Sequence, residues 1–408
     1  MSDIRLYGGR RLFGEIEPSG SKNASLPIIF ATLLTYGVSE LHGVPDIGDV
    51  RVAIEIIESF GAIVERDKDM LRIDTRFVTY TEPNKNLTSK IRASSYLIGA
   101  CLSRFGIFHI SDFGGCNFCN RPIDMHLYAA EMLGARTYNG VIYAKDLSGT
   151  GIVFKKQSVG ATINAVMMAL ASFGETELVG AAKEPHVKAL VDFLLSAGAA
   201  IEETKSGYLI RKSDLHGGRA VIIPDMIEAG TYLLLAPLTD GVVTVKKSAD
   251  LELESFFEPL FESGIKIDVI GKDVRMYGVP ERPIKISTAP HPGYPTDLQP
   301  QIAPLMAKYF GGKIYENVWQ SRFSYLDSLR AFGVKYEIAS NSAKISHSEL
   351  FAAQTVACDL RGGAAALMCA LAVEGESKIE NTELIMRGYS DIESKLKSLG
   401  ANILSYGV

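Results

Sequence analysis

Ser59-Phe60-Gly61-Ala62-Ile63-Val64 reads as the end of an amphipathic helix, a glycine in the left-handed conformation at the helix C-terminus, and a strand that starts at once. The phrase returns as Met132-Leu133-Gly134-Ala135-Arg136-Thr137, Ser196-Ala197-Gly198-Ala199-Ala200-Ile201 and Glu262-Ser263-Gly264-Ile265-Lys266-Ile267. It appears twice more as Ala331-Phe332-Gly333-Val334-Lys335-Tyr336 and Ser398-Leu399-Gly400-Ala401-Asn402-Ile403. The glycines fall 73, 64, 66, 69 and 67 residues apart. One such phrase is common, but six at a near-constant spacing mark stacked equivalent units. The period is too long for an ordinary solenoid repeat. Each unit is therefore expected to be a small α/β module of several strands and two helices, with three modules per domain.

Outward from the nodes, a chain of 408 residues calls for two domains of about 150–200 residues each. Pro18-Ser19-Gly20-Ser21 forms a loop after what reads as a strand hairpin, and the segment from Leu215-His216-Gly217-Gly218 to Pro224-Asp225 is rich in turn residues. Crossings at both places predict one domain of residues 22–223 and another of residues 1–21 and 224–408, joined by a two-stranded hinge. With 47% hydrophobic and 22% charged residues the composition is that of a globular chain. A net charge of −5 argues against a nucleic-acid partner, whose phosphates demand a basic surface. Any bound anion must be held by a few focused cations. Five cysteines are too few, and odd in number, for a disulfide framework, which points to a reducing compartment. The opening Met1-Ser2-Asp3-Ile4-Arg5 lacks a signal-peptide core. The apolar stretch over residues 26–38 is interrupted by Thr32, Thr35 and Tyr36 and is too short to span a bilayer. A cytoplasmic location is the expectation.

Several basic residues stand beside predicted helix starts. In Ser21-Lys22-Asn23-Ala24-Ser25-Leu26-Pro27, a proline confined to the first turn puts the start near residues 24–26. Arg121 precedes Pro122 at a first helical position, with Ile123, Leu127, Ala130 and Leu133 continuing the apolar spacing. Lys156 precedes the cap Ser158, Arg387 precedes the cap Ser390 of a helix over residues 391–399, and Asp359-Leu360-Arg361 precedes the small-residue run 362–367. A helix N-terminus attracts anions, and an Arg or Lys at its mouth strengthens the site. Any one of these cations could be an ordinary exposed loop residue. Their recurrence in both predicted domains favours an anion-binding cleft.

Gly114-Gly115-Cys116-Asn117-Phe118-Cys119-Asn120-Arg121 sets a thiol among backbone-freeing glycines, an arginine and a helix start, a setting that depresses a thiol pKa. Cys116 can then act as acid, base or nucleophile. Cys116 and Cys119 form a C-x-x-C pair, but no second pair stands at zinc spacing, and Cys119 reads as loop filler. Thr288-Ala289-Pro290-His291-Pro292-Gly293-Tyr294-Pro295-Thr296-Asp297 is a proline-stiffened loop that ends on a carboxylate. Asp297 could orient or deprotonate a hydroxyl, or Asp297 or Thr296 could be a plain N-cap. There is no P-loop or dinucleotide fingerprint, and neither a metal nor a cofactor is expected.

Taken together, Ser19-Gly20-Ser21-Lys22-Asn23-Ala24, Ile91-Arg92-Ala93-Ser94, Gly114-Gly115-Cys116 with Arg121-Pro122-Ile123-Asp124, Ser158-Val159-Gly160-Ala161-Thr162, residues 288–299, Asp359-Leu360-Arg361 and Arg387-Gly388-Tyr389 resemble the UDP-N-acetylglucosamine enolpyruvyl transferase family over nearly the whole chain. The sister enzyme, 5-enolpyruvylshikimate-3-phosphate synthase, resembles it in fold but lacks the loop cysteine. The resemblance implies a two-domain inside-out α/β barrel, each domain three copies of a βαβαββ unit. It implies transfer of the enolpyruvyl group of phosphoenolpyruvate to UDP-N-acetylglucosamine, with loss of phosphate, at the entry to peptidoglycan precursor synthesis. By the same resemblance Lys22, Asn23, Arg121 and Arg387 hold phosphoenolpyruvate, and Arg322 and Arg361 line its pocket. Asn23, Arg92, Arg121, Pro122, Ile123, Asp124, Met125, Lys156, Gln157, Ser158, Val159, Asp297 and Val318 bind the UDP-sugar. Cys116 is the implied general acid, Asp297 takes the proton of the sugar hydroxyl, and Asp359 supports the proton transfers.

The chain departs from the family pattern at His186, where an acidic residue is usual, and at Gln320-Ser321 before Arg322, where Glu-Asn is usual. A third departure is Leu384-Ile385-Met386 before Arg387, where a His-Ile-Asp-like run is usual. None removes a catalytic group. They leave open a paralogue that uses another uridine nucleotide such as UMP, or a catalytically silent nucleotide sensor.

Overall fold

All six glycine nodes close in the same way. Gly61, Gly134, Gly198, Gly264, Gly333 and Gly400 have φ between 88 and 106°, a region that residues with a Cβ enter only with strain. After each glycine, the next N–H reaches back five residues: Ala62 to Ile57 (3.3 Å), Ala135 to Ala130 (2.9 Å), Ala199 to Leu194 (3.0 Å), Ile265 to Leu260 (3.2 Å), Val334 to Leu329 (3.4 Å) and Ala401 to Leu396 (3.1 Å). These are the long bonds of Schellman helix ends. A strand follows at Ile63–Asp67, Arg136–Tyr138, Ala200–Glu203, Lys266–Ile270, Lys335–Ala339 and Asn402–Tyr406.

The computed structural model describes residues 2–110, 113–114, 122–319 and 322–406. They divide into two compact units, one of residues 20–110, 113–114 and 122–223, the other of residues 2–19 and 224–406. Each has its own hydrophobic core. Among the described residues each unit carries three small sheets, and five of the six share one topology. Gly151–Val153, for example, pairs in parallel with Glu175–Val179, which pairs antiparallel with Gly207–Arg211, which pairs antiparallel with Ala200–Glu203. With the helices Val159–Ala169 and Pro185–Ser196 between them, the chain order is βαβαββ. The sixth sheet, of Ile107–His109, Val141–Tyr143 and Arg136–Tyr138, has no parallel partner strand among the described residues.

The first helix of each module is buried almost all round, as in Met226–Thr239, Gln299–Lys308 and Leu360–Ala372. These three pack against one another, which puts the helices at the centre of their unit and the sheets around them. The second helix of each module is amphipathic. Gly48–Ser59 buries Val50, Ala53, Ile56 and Ile57 along one stripe. No helix among the described residues is long and apolar enough to cross a membrane.

Four local expectations are corrected. Asp3–Gly8 and Phe13–Ile16 do not form a hairpin. The first lies between Gly375–Glu380 and Asn402–Tyr406, and the second runs parallel to Val242–Val245. An isolated hairpin is marginal in water, whereas each strand here completes a four-stranded sheet and buries Ile4 and Leu6 or Ile16. The first helix begins at Lys22, capped by Ser21, whose Oγ accepts from Ala24 N at 3.3 Å. Pro27 therefore sits inside the helix and cannot donate to the Asn23 carbonyl, and burial of residues 24–31 offsets that loss. Pro122 precedes the helix Asp124–Met132, with Ile123 at its cap. Ser390 is not a cap either, because Asp391, at φ 50°, occupies the N-cap position of Ile392–Ser398 without a side-chain bond.

Candidate active site

In the unit of residues 2–19 and 224–406 the proline-rich loop ends in a 3-10 turn, Thr296–Leu298, and Pro295 at its N-cap makes no side-chain bond. The plain N-cap reading of Asp297 or Thr296 is thus excluded. Asp297 instead accepts from two guanidinium groups. Arg322 Nη1 lies 2.6 Å from Oδ1 and Arg361 Nη2 lies 3.2 Å from Oδ2. The arginine side chains are 5% and 2% exposed, the carboxylate 29%. Two buried cations thus share one partly open carboxylate. Burial opposes the charge on Arg361, but Asp297 then raises its pKa above the ordinary guanidinium value. Its Nε and Nη1 make no hydrogen bond of good geometry among the described residues, and the Tyr389 hydroxyl acts on the same guanidinium.

Arg361 is the second residue of the Leu360–Ala372 helix, inside the first turn rather than ahead of it. The cap is Asp359, whose Oδ1 accepts from the backbone of Arg361 and Gly362 at 2.8 Å each. One carboxylate oxygen of Asp359 is thereby committed to the helix end. Arg387 is half-buried and ends the short helix Glu383–Met386. Two residues on, Tyr389 places its ring 5.6 Å from the Arg361 guanidinium. Val318 is half-buried, and its N–H donates to Glu316 at 2.9 Å.

In the other unit Lys22 opens its helix with Nζ 3.6 Å from Asp49, both side chains largely buried. The neighbouring Asn23 is half-buried. A second cluster forms around His126, on the helix that starts at Asp124. A Cβ on Gly160 would lie 2.7 Å from its imidazole carbon Cε1, so glycine alone lets the ring lie against the start of Val159–Ala169. Ser158 caps that helix as expected, accepting from Ala161 N at 3.3 Å. Burial, and then the charge of Arg92, pushes His126 down to about 4. The neutral ring meets Asn164 Nδ2 at 2.6 Å, and Asn164 Oδ1 accepts from Gly99 N at 2.8 Å. Arg92, half-buried, stands 5.8 Å from the Phe113 ring. Arg92 and Asp124 act electrostatically on this imidazole, Met125 precedes it in the chain, and Ser158 and Val159 precede the Gly160 it lies against. Pro122, Lys156 and Gln157 are exposed beside them and Ile123 is half-buried.

Cys116, Cys119 and Arg121 lie outside the described residues, as do Gln320 and Ser321. Sequence reasoning missed His126, Asn164, Asp49 and the fully buried Glu316. A lone acidic residue directly after the strand Gly312–Tyr315 was the one signal for Glu316.

A sequence profile described as EPSP synthase (3-phosphoshikimate 1-carboxyvinyltransferase) matches residues 6–396. A UDP-N-acetylglucosamine 1-carboxyvinyltransferase of Halothermothrix orenii is 38% identical over 411 residues, covering 99% of each chain. UDP-N-acetylglucosamine 1-carboxyvinyltransferase 3 of Caldanaerobacter subterraneus is 39% identical over 99% of each chain. Among solved structures, the enolpyruvyl transferase NikO of Streptomyces tendae superposes with a TM-score of 0.87 at 25% identity over the full length of both chains. EPSP synthase of Acinetobacter baumannii, at 15% identity and TM-score 0.72 over 100% of this chain and 99% of its own, shares the fold.

Proposed function

The chain belongs to the enolpyruvyl transferase family, and from that premise we propose that it moves the carboxyvinyl group of phosphoenolpyruvate onto the 3-hydroxyl of UDP-N-acetylglucosamine with release of phosphate. That reaction is the first committed step of peptidoglycan precursor synthesis, and the enzyme carries it out in the cytoplasm on two small-molecule substrates. The observation that carries the reading is Asp297 held by the buried Arg322 and Arg361. A carboxylate fixed in this way can take a hydroxyl proton. The guanidinium N–H groups of Arg361 that Asp297 does not take suit a phosphate or carboxylate of the second substrate.

In the proposed cycle Cys116 assists protonation of the enol methylene, which creates a cationic centre at the adjacent carbon. The sugar hydroxyl adds there as Asp297 removes its proton, giving a tetrahedral ketal. Loss of phosphate, together with a proton from the methyl group that the first step created, leaves the enol ether. Lys22, Asn23, Arg121, Arg387, Arg322 and Arg361 hold phosphoenolpyruvate, and Asp359 supports the proton transfers. Arg92, Arg121, Pro122, Ile123, Asp124, Met125, Lys156, Gln157, Ser158, Val159 and Val318 hold the UDP-sugar together with Asn23 and Asp297. The helix start at Val159 and its flanking Lys156 suit a diphosphate. The oxocarbenium-like centre must be shielded from water, and the oriented encounter of two substrates lowers the barrier.

Phosphate release from phosphoenolpyruvate, measured with UDP-N-acetylglucosamine, UMP and UDP in turn, tests the reading. Release with the UDP-sugar is expected. Release with UMP alone would assign a different acceptor, and release with none of the three would mark a silent nucleotide sensor. Fosfomycin, a thiol-alkylating epoxide, is expected to label the wild type and to spare Cys116→Ser.

A further inference from the structure

Glu316 has no solvent exposure, yet none of its hydrogen bonds among the described residues is to a cation. Its Oε1 accepts from Thr288 Oγ1 at 2.8 Å and from Val318 N and Trp319 N at 2.9 Å each. Its Oε2 accepts from Thr296 Oγ1 at 2.9 Å. Thr296 Oγ1 is also 3.2 Å from Arg322 Nη1, the same nitrogen that donates to Asp297 Oδ1. The direction of every bond in this chain is fixed by chemistry. A carboxylate offers only lone pairs and a guanidinium only N–H groups. The Thr296 hydroxyl must therefore send its proton to Glu316 and turn a lone pair toward Arg322.

We propose that Glu316 and Thr296 form a hydrogen-bond relay of fixed polarity that aims Arg322 at Asp297, which makes both of them positioning residues for the transfer reaction. The relay rests on the reading that Asp297 acts on the acceptor hydroxyl. The two backbone bonds of Glu316 would serve equally to close the loop over residues 316–319. The bond through Thr296 has no part in that closure, and it joins the loop to the reacting groups. Glu316→Gln separates the two roles. The amide oxygen must stay opposite its three donors, so the NH2 faces Thr296, whose hydroxyl proton then loses its acceptor and with it the orientation that turns a lone pair toward Arg322.

The test compares kcat, KM and Tm for wild type, Thr296→Val, Thr296→Ser, Glu316→Gln and Arg322→Ala, each well below its own Tm. Thr296→Val and Glu316→Gln should lower kcat about tenfold, the worth of one hydrogen bond to a charged group, with KM for the UDP-sugar within about twofold. Thr296→Ser, which keeps the hydroxyl, should restore at least about half of kcat, and Thr296→Val in an Arg322→Ala background should cost less than about twofold more. A Thr296→Val enzyme with lowered Tm but wild-type kcat would overturn the relay, as would equal losses in both backgrounds. Absence of turnover by the wild type would instead refute the proposed reaction. A crystal structure of Thr296→Val then decides the relay without kinetics. Arg322 swung away from Asp297 supports it, and the 2.6 Å contact left in place overturns it.

Discussion

Replacing Gly400 by alanine isolates the backbone cost of one node, and replacing Gly333 adds a steric cost of known origin. Gly400 has φ 97°, and a Cβ there would meet no atom of the described residues within 4 Å. The left-handed region costs an alanine about 1–2 kcal/mol, and the stiffer unfolded chain returns about 0.4–1 kcal/mol. Gly400→Ala should therefore destabilise by about 1 kcal/mol net. At Gly333, φ 88°, a Cβ would lie 2.7 Å from the Glu349 carbonyl oxygen and 2.8 Å from a ring carbon of Phe351. A backbone oxygen cannot simply move aside, so overpacking of about 1–3 kcal/mol brings the expected total to about 2–4 kcal/mol. The chain has one tryptophan, Trp319, in the same unit as both glycines. Urea denaturation followed by its emission therefore reads the relevant transition for both variants. Equal losses in the two variants, or no loss at Gly400, would refute the assignment of cost to left-handed backbone plus crowding.

Asp297→Asn keeps the shape of the site but removes the proton acceptor, and kcat should fall by about 10²–10⁴. Steady-state kinetics within a few-fold of wild type would exclude Asp297 as the base. Arg361→Lys retains a charge but loses the planar fork, so KM for phosphoenolpyruvate should rise at least about tenfold. An unchanged KM would place the anion elsewhere. His126 gives the expected pH dependence. Buried, and close to Arg92, it is held down to about 4 in the folded state, against about 6.5 unfolded. The unfolded chain therefore binds the extra proton first. Stability is full above about pH 6.5 and drains as pH falls toward about 4, by up to about 3 kcal/mol. His126→Gln should flatten that slope. An NMR titration in which His126 protonates near its ordinary value would contradict it.

The fold was legible because its signal is local and repeated. A glycine after an amphipathic helix needs no tertiary information to announce a Schellman end, and all six nodes take that form. Pro27 misled because the rule against interior proline prices an isolated helix, whereas residues 24–31 sit in a core whose burial outweighs one lost backbone bond. The hairpin expected near the N-terminus failed for the same reason. Proximity along the chain suggests pairing, but the partner strands of Asp3–Gly8 lie more than 350 residues away. At the site, the pattern in residues 288–299 drew attention to Asp297, the helix start before residues 362–367 drew attention to Arg361, and resemblance supplied Arg322. That these arginines meet on one carboxylate is a property of three separate elements and has no sequence spacing. The link from Glu316 through Thr296 to Arg322 was illegible on the same ground, since a hydrogen-bond direction set by tertiary partners leaves no trace in composition or period.

Mass analysis of the nucleotide recovered after incubation with phosphoenolpyruvate and UDP-N-acetylglucosamine tests the account most directly. The account predicts the UDP-sugar enlarged by one carboxyvinyl group, with one phosphate freed for each molecule converted. An unmodified sugar nucleotide alongside intact phosphoenolpyruvate would contradict it.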